Sequence, residues 1–176
     1  MAGNASLTKV SVRYGLLSGL LGALLSIALF YMGHHPLLAP PFLDFRILLF
    51  AIVIFFALKE FRDFHNKGIL YFWQGMMGGL SITLGFALIA SGLLYLFAQW
   101  NATFVEQYIN LSLEQIKNFS PEDIERIGKT TFDQSLEALK QADAYFLASR
   151  YLVQSFVLSF FITIIISVIL RNQPKQ

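Results

Sequence analysis

The sequence predicts an all-α, integral membrane four-helix bundle with an extramembrane helical insertion between its third and fourth spans. Three observations carry that reading. Of 176 residues, 56% are hydrophobic and only 14% charged, with a mean hydropathy of +0.59, whereas a soluble domain carries about a quarter charged residues. The apolar residues gather into long runs, and two of these, 14–33 and 68–105, hold no charge. The basic residues of the short segments fall on one side of the runs, as the positive-inside rule requires.

The elements follow in order. Residues 1–9 are small and polar and are expected to fray. The first span is placed at about 14–33, matching the roughly 20 residues that cross about 30 Å of hydrocarbon. A signal peptide is the alternative for this run. It is too long for a signal core, and His34, His35 and Pro36 follow it instead of a small-x-small cleavage site. Pro36, Pro40 and Pro41 mark the first loop, so the second helix should start at Pro40 or Pro41, with Asp44 in its first turn, where the helix dipole favours an anion. The apolar run 47–58 is too short to cross alone. The second span is therefore about 42–58, and Arg46 must snorkel or pair with Asp44.

A charged turn, Lys59 to Lys67, leads to a third span at about 72–98. The fourth, about 151–170, is bracketed by Arg150 and Arg171. Aromatic belts are expected at Tyr14, Tyr71 and Trp73 on one side and at Tyr31, Tyr95, Trp100 and Tyr151 on the other. Lys9 and Arg13, then Lys59, Arg62 and Lys67, then Arg171 and Lys175 all fall on one side, which puts both termini in the cytoplasm.

The segment 101–149 goes to the opposite side, with eight acids against four bases. Ser120-Pro121 reads as a helix start. Glu122 with Arg126 and Glu125 with Lys129 are spaced for i,i+4 pairing. Val105, Ile109, Leu113 and Ile116 share a face, as do Phe132, Leu136, Leu139 and Phe146. Two or three amphipathic helices are expected, the last running into the fourth span. Their apolar faces either pack on each other or on lipid headgroups, or dock a partner.

The candidate functional positions are packing positions. Gly15 and Gly19, like Gly75 and Gly79, have the spacing that lets helix backbones approach in lipid, where association depends on close fit. Both pairs lie at one depth and can satisfy each other within the chain. Ser155, Ser159 and Thr163, continued by Ser167, form a small polar row of the same step. These rows should face the interior, with the Phe-rich faces of spans two and four toward lipid. Tyr14-Gly15-x-x-Ser18-Gly19 and Gln74-Gly75-x-x-Gly78-Gly79 hint at a duplicated helical hairpin.

Chemistry is scarce. There is no cysteine. Adjacent His34 and His35 point apart and make a poor metal pair with Asp44. From Ile47 to Leu58, and throughout the other three spans, there is no Asp, Glu, Lys, Arg or His of the kind that relays and intramembrane catalysts use. A net charge of +2 leaves no nucleic-acid footprint. No catalytic, cofactor-binding or metal-binding residues are expected, and the protein is read as no enzyme. Its expected partners are the lipid bilayer and a protein that meets the helical loop, with oligomeric state open. The leading function is a docking or envelope-organising membrane component. The alternative is a small passive transporter or lipid-handling protein that uses a Gly/Ser-lined interior with Gln74 and Gln154.

The Tyr-Gly opening of span one, the K-E-F-R-D turn (Lys59 to Asp63), Phe72-x-x-Gly75 and the helical loop together resemble the DUF4199 membrane proteins. These are four-span proteins of unknown function, mostly from the Bacteroidetes. The family's Gly-Gly after the charged turn is reduced here to Lys67-Gly68. The resemblance implies a bacterial inner membrane and a periplasmic loop, and it brings no reaction.

Overall fold

The computed structural model describes residues 2–173, with the side chains of 5–122 and 124–173. Seven α-helices run in order: α1 (Ala2–Tyr31), α2 (Phe45–Glu60), α3 (Phe72–Trp100), α4 (Ala102–Lys117), α5 (Pro121–Ile127), α6 (Lys129–Lys140) and α7 (Ala144–Leu170). Three stretches, Ala5–Tyr31, Phe72–Trp100 and Ala144–Leu170, are long and apolar enough to cross a membrane, which marks a membrane protein. The second expected span is shorter. α2 has 16 residues, about 24 Å of helix at 1.5 Å per residue.

α3 is central. It packs along α1 on one side and α7 on the other, while α2 lies against α7 and α1. The charged turn sits at one end, here the turn end; α4, α5 and α6 gather at the other, the loop end. The core includes Phe50, Ile54, Leu58, Ile82, Phe86 and Tyr151, all without exposed surface.

Several boundaries differ from the sequence expectation. α1 begins at Ala2 rather than near Tyr14, because Leu7 and Val10 are buried and hold its first turns against the body. Leu7 and Leu58 both crowd the face of Gly78. Pro41–Leu43 forms a 3-10 turn, and the α2 helix starts only at Phe45. Asp44 is therefore its N-cap, outside the first turn, accepting from the Arg46 backbone N–H at 2.9 Å. The Phe-rich face of α2 is divided: Phe56 is exposed, whereas Phe50 is fully buried against Phe86, with ring centroids 4.6 Å apart.

At the turn end, α2 passes into one π-helical turn, Phe61–His65. Arg13 of α1 donates to both Glu60 oxygens at 2.6 Å, and the Tyr14 hydroxyl donates to the same carboxylate at 2.9 Å. Lys67 and Gly68 then reverse the chain with φ of 54° and 77°. Leu70 and Asn172 exchange two backbone hydrogen bonds of 2.9 Å, and the Asn172 amide donates to Gly68 O at 2.7 Å. Lys175, used in the orientation argument, lies outside the described residues.

The loop segment forms three helices, and the last stops at Lys140 instead of running into α7. Asp143 recaps the chain by accepting from Phe146 N–H at 2.8 Å. Gly128, at φ 89°, breaks the path between α5 and α6. Glu125 and Lys129 thus fall on different helices, and neither expected i,i+4 ion pair forms.

Candidate functional site

The densest polar cluster is built around Arg46 at the loop end. Asp44 caps α2 through its carboxylate, and the same carboxylate receives the guanidinium two residues on. Nε lies 2.9 and 3.0 Å from the Asp44 oxygens, and Nη2 lies 2.5 Å from Oδ2. The two residues are only 5% and 2% exposed. A buried charge is stable only when paired and hydrogen-bonded, and the rest of the guanidinium meets that condition on α7. Nη2 donates to Gln154 Oε1 at 3.1 Å, and Nη1 donates to the Tyr151 carbonyl and Ser155 hydroxyl at 3.4 and 3.3 Å. All five guanidinium N–H groups are thereby engaged.

Tyr151 supplies the floor. Its ring lies 4.4 Å beneath the guanidinium carbon, a cation–π contact, and stacks on Phe86 of α3. Its hydroxyl is hydrogen-bonded to Ser26 of α1 at 3.2 Å. One side chain therefore touches α1, α2 and α3 from α7. The belt position assigned to Tyr151 is corrected: the ring is fully buried, because the cation beside it needs an aromatic face and the hydroxyl needs a partner. Tyr31 and Trp100 are exposed at the same end.

His35 forms a second locus in the loop 32–40. Its ring lies 4.6 Å from Phe104 and 5.3 Å from Tyr108, both on α4. Nε2 donates to the Phe104 carbonyl at 3.2 Å, and Leu37 N–H donates to Nδ1 at 3.4 Å. This arrangement requires neutral imidazole. Burial pulls the pKa down from 6.5 to about 4, against the Phe104 hydrogen bond, which raises it. Arg150 of α7 stands over the other partner, Tyr108, at 6.0 Å. His34 is exposed. Among the described residues no three His, Asp or Glu side chains are placed to hold a metal ion.

The glycine positions face different neighbours from those expected. A Cβ at Gly15 would lie 2.8 Å from the Ile82 carbonyl oxygen and 3.2 Å from Gly85 Cα; one at Gly19 would meet Ile89 at 2.9 Å. Gly75 instead faces Ser167, whose Oγ would be 2.5 Å from such a carbon, and Gly79 would drive one into Thr163. The two pairs never meet: Gly15 and Gly19 seat α1 on α3, whereas Gly75 and Gly79 seat α3 on α7. Ser155, Ser159, Thr163 and Ser167 are all fully buried. Ser159 is hydrogen-bonded to Thr83 of α3, while Thr163 and Ser167 leave their oxygens unpaired and act as fillers over glycine.

Gln74 and Gln154 also part. Gln74 Oε1 accepts from Tyr71 N–H at 3.1 Å and from Asn66 at 3.2 Å at the turn end, while Gln154 serves Arg46 at the other. Arg46 with Tyr151, Gln154 and Ser155 was not singled out as a site. The available signal was a charge entering an apolar run, which demands a partner but does not say where in the chain it lies.

The family model for a protein of unknown function (DUF4199) matches residues 13–172, most of the chain, and the chain belongs to that family. No curated protein and no solved structure matches it.

Proposed function

We propose that this member of the family is a four-span protein of a bacterial inner membrane that catalyses no reaction and docks a partner through α4, α5 and α6. In this reading α2, with its capping turn, is the second of four spans, both termini are cytoplasmic and 101–149 is a periplasmic module. The observation that carries it is the way the module is joined to the helical body. Phe104 sits among Phe30, Phe97 and His35, with ring separations of 4.6–5.3 Å. Val105, Ile109, Leu113 and Ile116 pack on the core. A module so anchored would pass a load or a position from a partner into the membrane part. The transporter alternative has less support, since Gln74 and Gln154 stand at opposite ends and large rings fill the space between the helices.

Two measurements test the reading. Single cysteines at Ser6, Asn66, Asn118 and Gln173, in a chain with none of its own, should react with an impermeant reagent from outside only at Asn118. Reaction at Asn66 rejects the topology. Crosslinking in native membranes followed by purification should give a stoichiometric complex through the module. A partnerless monomer that conducts solute flux in liposomes would reverse the order of the two functions.

A further inference from the structure

Charge is divided unevenly between the two ends of the molecule. Among the described residues the turn end carries six bases, Lys9, Arg13, Lys59, Arg62, Lys67 and Arg171, against two acids, Glu60 and Asp63. Every other acid of the chain, Asp44 apart, lies in the segment 101–149. In sequence the two acids interrupt the bases and hide any basic patch. In the fold both are spent. Glu60 is held by Arg13 at 2.6 Å, with the Tyr14 hydroxyl and His65 beside it, and Asp63 is held by Arg62 at 2.7 Å.

Lys9, Lys59, Lys67 and Arg171 are exposed and form no ion pair among the described residues. They come from four parts of the chain and are gathered by local contacts. Lys9 stands one turn of α1 before Arg13, and Lys59 precedes the Glu60 that Arg13 holds. Arg171 precedes Asn172, whose amide donates to Gly68 O, next to Lys67. An apolar group stands among these cations. The π-helical turn buries Phe61 completely and leaves Phe64 82% exposed. Trp73, in the first turn of α3, is 52% exposed. A ring beside surplus cations suits a surface of anionic heads over an apolar layer, whereas a soluble anion has no use for the ring.

We propose that the turn end binds anionic phospholipid headgroups through Lys9, Lys59, Lys67 and Arg171, with Phe64 entering the leaflet beside them. The inference rests on the membrane embedding proposed above. The full chain is reconstituted in nanodiscs of equal parts dioleoyl phosphatidylglycerol and dioleoyl phosphatidylcholine, which share their acyl chains, then released for native mass spectrometry. The parent should retain phosphatidylglycerol with a preference of at least about fivefold, the worth of one base near an anionic surface. Assembly in about 0.5 M salt should remove most of that preference, since exposed charges are then screened. The triple variant Lys9→Gln, Lys59→Gln, Lys67→Gln should retain the two lipids equally. Lys117→Gln, Lys129→Gln, Lys140→Gln, at the loop end, should keep the parent's preference. Phe64→Ser, which leaves the core untouched, should retain fewer lipids. Equal retention of both lipids by the parent, or an undiminished preference in the turn-end triple variant, overturns the proposal while leaving membrane embedding intact. Displacement of the retained lipid by inorganic phosphate overturns it too and assigns the cations to a soluble anion. Failure of the parent to enter nanodiscs overturns the embedding reading itself.

Discussion

The α1–α3–α7 contacts and the loop end hold helices together in opposite ways. Along the first, backbones approach over glycine: Gly15 over Ile82 and Gly85, Gly75 over Ser167, Gly79 over Thr163. At the loop end the joint is made of large groups, with Phe30, Phe97, Phe104 and His35 interleaved and a buried ion pair lying on Tyr151. The difference teaches where each force is available. Lipid gives apolar side chains no reason to leave it, so helices inside it associate through close fit and hydrogen bonds. Where chain meets water, burying aromatic surface is itself favourable, and a charge can be kept if all its donors are met.

Breaking the loop-end joint at its charge should have the largest effect. Arg46→Ala leaves the Asp44 carboxylate buried and unpaired, a change that costs about 3–5 kcal/mol. Asp44→Asn combined with Arg46→Met should recover much of it, because no uncompensated charge is then left buried and Asn can still cap α2. Thermal unfolding in detergent reads both. A parent-like melting point for Arg46→Ala would mean that the pair does not tie α2 to α7.

The histidine offers a smaller break, controlled by pH. Above pH 6.5 the imidazole is neutral in both folded and unfolded chains. Between pH 6.5 and about 4 the unfolded chain takes up a proton that folded His35 refuses, so stability falls as pH drops through that window. At 1.36 kcal/mol per pKa unit the loss is about 3 kcal/mol at most. The rings of Phe104 and Tyr108 on α4 lie beside the imidazole, and Arg150 stands over Tyr108. His35→Gln should flatten the melting-point curve between pH 7 and 4.5. An unchanged slope in that variant assigns the titration to another group.

Gly79→Leu tests the close-packed interface and should cost about 1–3 kcal/mol by overpacking against Thr163. Ile165→Leu on the same interface's outer helix is 57% exposed and should stay within about 0.5 kcal/mol. Equal melting points for these two variants would place the interface elsewhere on α7.

Much of this fold could be read along the chain, because spans, caps and breakers are local. The charge-free runs marked α1, α3 and α7, and Ser120-Pro121 marked the start of α5. The rest depended on which residue meets which across the fold. Glycine spacing marks a face that can be approached closely but does not name what approaches it, and the two glycine pairs found different helices. The same limit hid the site. Asp44 and Arg46 are neighbours in sequence, yet the partners that make the pair tolerable lie more than a hundred positions away, at Tyr151, Gln154 and Ser155. Tyr151 looked like an interfacial aromatic because position alone cannot tell a ring at the surface from one that supports a cation.

The backbone bridge between Leu70 and Asn172 has a consequence in time. The turn after α2 is complete only when Asn172, just past α7, arrives to accept and donate its hydrogen bonds. During synthesis that turn stays unclosed until Asn172 has been added, so its closure reports that α7 has been made and seated. A chain that stops before Asn172 would keep one backbone donor and one acceptor open at Leu70.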